Sequence, residues 1–145
     1  MAMKLSTGKV AFPIEFDNGD KQNIYFNPSD PNLPLRLKDF QGKVNEKING
    51  IEDIELDENG EPKADEFIEK FRKMQDILFE ELDYAFGGEI SAVVFKHCSP
   101  FAIVGGDYFI VQFLEAIRPE VEKHVKKANA DVQKKMNKHI SKYAK

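Results

Sequence analysis

The sequence predicts a mainly α fold (α+β): a small N-terminal β-hairpin, a compact helical body and a long C-terminal helix. Three observations carry this expectation. Two apolar runs of period two flank Asn18-Gly19. An apolar stripe at three-and-four spacing runs from Ala64 to Ala85, the mark of a helix with one buried face. A second such stripe starts near Tyr108 and continues past Pro119. With 145 residues the chain is expected to form one domain. Its parts are hairpin and linker (1–34), helical body (35–118) and basic C-terminal helix (119–145).

In the hairpin, Val10, Phe12, Ile14 and Phe16 alternate with other residues, and Ile24 and Phe26 repeat the period. Asn18-Gly19 between them is a turn signal, because both residues tolerate positive φ. Pro13 lacks an N–H, which assigns its strand to an edge or a bulge. Three prolines between Asn27 and Pro34 exclude a regular element there. Leu37, Phe40, Val44 and Ile48 then share one helical face, giving a first helix over 35–48, with Gly42 as a weak point inside it and Asn49-Gly50 as its stop. The next stretch, 51–62, is acidic. Its Asp53-x-Glu55-x-Asp57 pattern suggests calcium, but Gly60 falls in the eighth place of the loop, where an EF-hand needs Gly in the sixth. A solvated loop with an Asn59-Gly60 turn is the expectation.

The second helix starts near Asp65. It presents Ala64, Phe67, Ile68, Phe71, Met74, Leu78, Leu82 and Ala85 on one face, and that stripe needs cover from other elements because propensity alone does not sustain a helix of this length. Glu66 with Lys70 and Glu69 with Lys73 form i,i+4 pairs on the outer face. Gly87-Gly88 ends the helix as a left-handed cap. A short third helix is predicted over 89–97, with Ile90, Val93 and Val94 on one face. Its β-branched residues leave a strand as the alternative, and Ser99-Pro100 closes it. Asp107 after Gly105-Gly106 is the expected N-cap of a fourth helix, burying Tyr108, Val111, Leu114 (with Phe113 beside it) and Ile117. Beyond Pro119, the residues Val121, Val125, Ala128, Val132, Met136 and Ile140 continue the spacing. The helix therefore either kinks at Pro119 or restarts there, with proline in the first turn of a new helix.

Charge is unevenly divided. Eight Lys and three acids between Pro119 and Lys145 give that segment +5, so a net −4 for the chain leaves −9 on the remainder. An acidic body argues against nucleic acid as a partner, and the opposed charges invite contact between copies. Cys98 is the only cysteine, which excludes an intrachain disulfide. The start of the chain has no apolar signal core, and no run approaches the roughly 18 apolar residues of a membrane span. The expectation is a cytoplasmic protein with no membrane partner.

Few residues of the chain are placed to carry chemistry. His97-Cys98 lacks the further ligands of a zinc site and, as adjacent residues, has poor geometry for a dyad. His124 and His139 stand on a lysine-rich helix face and read as solvated. Gly105-Gly106-Asp107 has neither the Lys-Ser/Thr of a phosphate loop nor a G-x-G-x-x-G pattern. Tyr25 and Phe26 lack the basic surround of a base-stacking platform. The expectation is a protein that is not an enzyme and carries no metal or cofactor. Contact with a partner falls to apolar positions late in the chain: Tyr108, Phe109, Phe113 and the seam Val121, Val125, Val132 and Met136. Core packing is the competing role for each of them, more so for Tyr108 and Phe113 than for the seam.

With these parts in order, the chain resembles the tail assembly chaperones of long-tailed phages and prophages of Gram-positive bacteria. A β-like stretch from Pro13-Ile14-Glu15-Phe16 to Tyr25-Phe26-Asn27 comes first. A helix ending in Leu82-Asp83-Tyr84-Ala85-Phe86-Gly87 is similar to the family's Phe-Gly break. An apolar segment ending in Phe95 follows. The stretch from Asp107 through Phe113-Leu114-Glu115-Ala116-Ile117 resembles the family's aromatic and Phe-Leu-x-Ala-Ile helix, and a Lys-rich helical tail comes last. The 97–100 segment and Gly105-Gly106 depart from the pattern. The resemblance implies a non-enzymatic protein that coats the helical tape measure protein, recruits tail tube subunits, self-associates into homo-oligomers, and is absent from the finished virion. It also implies that a programmed frameshift makes a longer form in many such phages. The alternatives are a virion structural protein, such as a minor tail or head–tail connector part, and an unrelated helical adaptor.

Overall fold

A computed structural model describes residues 1–51, 57–61 and 63–143, with side chains described as far as Lys138. Strands β1 (Val10–Glu15) and β2 (Lys21–Phe26) pair antiparallel, with Phe12 opposite Ile24 and Pro13 opposite Asn23. The register has no bulge, and a two-stranded sheet makes both strands edges, so Pro13 costs the ladder little. Of the turn residues only Gly19 takes positive φ, at 86°. Gly19 N–H bonds to Phe16 O at 3.0 Å, and Phe16 N–H to Asp20 O at 2.9 Å. The connection is thus the three-residue type with Gly at the left-handed position, and Asn18 does not share the positive φ expected of it. Its carboxamide oxygen instead accepts the Asp20 N–H at 3.0 Å.

Helix α1 spans Asn32–Asn49, three residues earlier than expected. The prolines of the linker do not prevent this, because Pro34 falls in the first turn, where no carbonyl waits for its missing N–H. The early start adds buried Leu33 to the face of Phe40 and Val44, with Leu37 and Ile48 packed at its margin. Past it, Gly60 takes a φ of 77° and the Asp57 carboxylate accepts the N–H groups of Asn59 and Glu61, both at 2.9 Å. This is the Asn59-Gly60 turn. Glu52, Asp53 and Glu55 of the acidic stretch lie outside the described residues.

Helix α2 (Ala64–Phe86) ends as predicted, with Gly87 left-handed at φ 73° and its N–H bonded to Asp83 O at 2.8 Å. Its stripe is covered only in the second half. Leu78, Leu82, Ala85 and Phe86 are buried, whereas Phe67 and Ile68 stand 51% and 55% exposed. The expectation that the whole stripe is covered fails because β1–β2, α1 and α4 gather at the C-terminal half of α2. Glu81 is buried in that half and pairs with Lys47 of α1. On the outer face Glu69 meets Arg72 at 3.7 Å.

Helix α3 is a single turn, Ser91–Val94, rather than a helix over 89–97. The chain leaves it at Phe95, whose ring packs near Phe79 and Phe109. Lys96 and His97 are then drawn to Asp20 of the hairpin. Strands β3 (Ile103–Val104) and β4 (Asp107–Tyr108) form a second, minute hairpin turned by Gly105 and Gly106, at φ 61° and 85°. Two consecutive positive φ angles are what a tight two-residue hairpin turn requires. Asp107 is therefore in a strand and is not the cap of the last helix. The amides of Phe109 and Ile110 at that helix's start bond instead to the carbonyls of Ala102 (2.8 Å) and Pro100 (3.0 Å).

Helix α4 runs from Phe109 to Tyr143 without a restart, Pro119 lying inside it. Pro119 and Glu115, the residue whose carbonyl it leaves unbonded, are both exposed, so the gap in the ladder falls on the solvent side, where water can fill it. Ile110, Phe113, Ile117 and Val121 are buried. This face is rotated from the one predicted: Tyr108 is exposed, and Val111 and Leu114 lie at the core's edge. The core is an aromatic nest. Phe12 stacks on Phe26 at 4.4 Å between centroids, Phe26 meets Phe86 edge-on at 5.0 Å, and Phe86 lies 5.9 Å from Phe113. The chain is mainly helical, with the β1–β2 hairpin lidding one side of this nest.

Candidate partner-docking surface

The residues singled out for partner contact separate into three settings. Phe113 and Val121 are buried, and Phe109 is half-buried with its ring edge-on to Phe95 at 6.0 Å. These serve the core. Val125 packs at the core's margin. Val132 and Met136 project from α4 at 55% and 52% exposure, and every described residue from Asn129 to Lys138 is exposed. Between Asn129 and Lys138, α4 thus carries apolar side chains that no described residue covers, among mostly polar and charged neighbours. His124 was expected to be solvated; it is half-buried and meets Phe12 edge-on at 5.6 Å. The side chains of His139 and Ile140 lie outside the described residues.

Where α4 leaves the body, it borders a groove of about 480 Å³ against the first turns of α1. Leu37, Leu114, Ile117, Val121 and Val125 supply its apolar lining, with Pro34 at one end. Lys38, Arg118, Glu122 and Lys126 complete it and are exposed, so three cations and one acid rim an apolar floor. Periodicity alone did not reveal this groove, because it depends on where α1 crosses α4. The cations of its rim carried no local signal in the sequence.

A second apolar surface surrounds the β3–β4 turn. The rings of Phe67 and Phe71 stack at 6.5 Å, Phe71 meets Phe101 at 5.5 Å, and Phe101 meets Tyr108 at 6.0 Å. Ile103, cross-strand from Tyr108, is exposed. The Gly-Gly pair between apolar residues was the readable signal for this hairpin.

Three charged side chains, Asp83, Asp20 and Glu81, tie elements of the body together. Asp83 of α2 reaches past the Gly87 break. Its Oδ1 accepts the N–H groups of Ile90 (2.8 Å) and Ser91 (2.7 Å), and its Oδ2 accepts the Ser91 hydroxyl at 2.8 Å. It caps α3 from seven residues upstream, a role no periodic pattern announces. Asp20 lies 2.7 Å from His97 Nε2 and 3.3 Å from Lys96 Nζ. Hydrogen bonding to His97 above all, then to Gln22, holds its carboxyl at about 2, below the ordinary 3.8. A carboxylate lowered in the folded state stabilises above its unfolded value, and that contribution disappears as pH falls through the folded one. Asp20→Asn is therefore expected to lower the unfolding midpoint at about pH 5, and the difference from the parent should shrink steadily as pH falls from about 4 through about 2. A difference that does not diminish over that range would mean that the carboxylate's charge is irrelevant. In the opposite direction, hydrogen bonding to the Glu81 carboxylate raises Lys47 above its ordinary 10.5, so the lysine's charge contributes fully below that ordinary value and the contribution is lost only as pH rises through the raised one.

His97 faces Asp20 rather than Cys98, and the Ser99 hydroxyl donates to Gln75 at 2.7 Å. Among the described residues no group of three His, Cys, Asp or Glu side chains is placed to hold a metal ion, and no helix is long and apolar enough to cross a membrane. The arrangement is an apolar groove rimmed by cations, continued by an exposed stripe on a basic helix. The fold is a mainly helical α+β domain with a projecting C-terminal helix. Compared with known proteins, the chain matches no protein-family model, no curated protein and no solved structure.

Proposed function

We propose that this chain is a non-enzymatic tail assembly chaperone of a long-tailed phage or prophage. It binds the tape measure protein in the bacterial cytoplasm, recruits tail tube subunits during tail morphogenesis, and is left out of the mature virion. The observation that carries the reading is the uncovered apolar stripe of α4, with Val132 and Met136 exposed on a lysine-rich helix. A chaperone of a long helical client needs an apolar helical face that its own core does not consume, and helix-on-helix capture uses anchors at three-and-four spacing. The order of hairpin, helix, Phe86-Gly87 break, aromatic helix start and basic tail agrees with the family that the sequence resembles.

The test is co-expression with the longest helical reading frame encoded just downstream, followed by pull-down on this chain. Retention of that partner, with its solubility depending on this chain, is the expected result. An unbound partner would overturn the reading, as would this protein's presence in purified particles. Val132→Asp is expected to reduce retention severalfold while circular dichroism stays unchanged, because an exposed helix position tolerates the substitution within about 0.5 kcal/mol. Val121→Asp, by contrast, should lose the fold, since Val121 is buried.

A further inference from the structure

The groove between α1 and α4 and the exposed stripe beyond it are contiguous. Leu114, Val121, Val125, Ala128, Val132 and Met136 follow one another at spacings of three, four and seven, so they lie along one line of α4. At 1.5 Å per residue this line is about 33 Å long, or six turns. Its first half is walled by α1, and no described residue walls its second half. The segment from Arg118 to Lys138 carries seven Lys and Arg against three Asp and Glu, a net of +4, and Lys38 adds a further cation from the α1 side.

We propose that groove and stripe form one docking track for a six-turn amphipathic helix of another protein whose apolar face is flanked by Asp and Glu. The choice of occupant follows from charge. A second copy of α4 would set a net positive helix against a net positive track, which like-charge juxtaposition disfavours. The acidic body of a second copy complements the charge, but among the described residues the longest exposed apolar face on that body's helices is the Phe67-Ile68 end of α2, too short to fill six turns. An acid-flanked helix places its carboxylates against Arg118, Lys126 and Lys38 while its apolar residues fill the groove between α1 and α4. Lysine stems beside the stripe lie along the partner's apolar edge and keep their ammonium groups in water. The proposal deepens the chaperone reading and rests on it for the natural source of the partner, whereas the track itself rests on geometry and charge.

The experiment uses the full chain and two synthetic helical peptides of about 24 residues, matched to the track at 1.5 Å per residue. Both carry the same Leu and Ile face; one has Glu flanks and the other Lys flanks. Fluorescence anisotropy should show the Glu peptide binding about tenfold tighter or more at low salt, with the preference falling to about threefold or less near 0.5 M salt as screening shortens the range of the charges. Val132→Asp with Met136→Asp should weaken Glu-peptide binding about tenfold and leave thermal unfolding unchanged. Lys38→Glu with Lys126→Glu should abolish the preference for Glu flanks. Equal binding of the two peptides, binding of neither, or binding indifferent to the double Asp variant overturns the proposal. Sedimentation showing a dimer that the double Asp variant dissociates also overturns it, since a second copy would then cover the stripe. Failure with the peptides alongside retention of the downstream partner would remove the track and leave the chaperone reading standing. Success with the peptides alongside an unretained downstream partner would leave the track and remove the chaperone reading.

Discussion

Phe26→Ala is expected to cost about 3–5 kcal/mol, the range for truncating a fully buried aromatic side chain. Phe26 is 0% exposed and joins the hairpin to the helices. Its ring stacks on Phe12 within the sheet and meets Phe86 edge-on at the end of α2. Removing it withdraws the transfer free energy of the ring and leaves a hole that three separate elements would have to close together. For a domain of this size each kcal/mol shifts the midpoint by about 3 °C, so thermal unfolding followed by circular dichroism should fall by about 10–15 °C. Tyr25, adjacent on the strand and 53% exposed, serves as the control. Tyr25→Ala should stay within about 1 kcal/mol of the parent. Equal losses at the two positions would mean that the hairpin does not lid the core as described.

Asp83→Ala should be nearly as damaging, at about 3 kcal/mol, for a different reason. Three donors of the α3 turn converge on this one carboxylate. Hydrogen bonds to a charged group each contribute about 1.5–3 kcal/mol, and a donor left unsatisfied in a part-buried site costs more than the bond was worth. Ile90, whose amide is one of the three, is itself buried, so losing the cap loosens a core residue as well. Asp83→Asn keeps an acceptor oxygen for the two amides and offers its amide group to the Ser91 hydroxyl oxygen. It should recover about half of the loss. Chemical denaturation of both variants checks this. An Asn variant as unstable as the Ala variant would show that charge, rather than geometry, sustains the α2–α3 junction.

Periodicity announced most of the elements correctly. The stripe from Leu78 to Ala85 is buried as spaced, Gly87 caps α2 in the left-handed conformation, and the β1–β2 register follows the alternation of Phe12, Ile24 and Phe26. Each of these is a local property, decided by residues within one turn or one pleat of each other. The errors fell where two local signals competed. Gly105-Gly106-Asp107 was expected to cap α4, but Gly105 and Gly106 both take positive φ and turn β3 into β4, beside Phe101, which packs against both Phe71 and Tyr108. At α1, proline looked like a barrier because its position in the first turn was not visible from composition.

The sequence by itself determined that the chain is mainly helical with an N-terminal hairpin, that α2 stops at Gly87, and that an apolar stripe on a basic segment extends past Pro119. Those outcomes follow from dihedral preferences and from spacing along one element. Only the tertiary structure decided which side of α4 is buried. Apolar residues at Ile110, Val111, Phe113, Leu114 and Ile117 spread over roughly 160° of that helix's circumference, so spacing permits more than one rotation, and docking against the aromatic nest selects the face of Ile110, Phe113 and Val121. That rotation leaves Leu114 and Val125 at the margin to line a groove with α1, and it places Val132 and Met136 beyond the reach of the body. The groove between α1 and α4 is therefore a consequence of how the elements meet, which involves residues about 80 positions apart and has no counterpart in any local pattern.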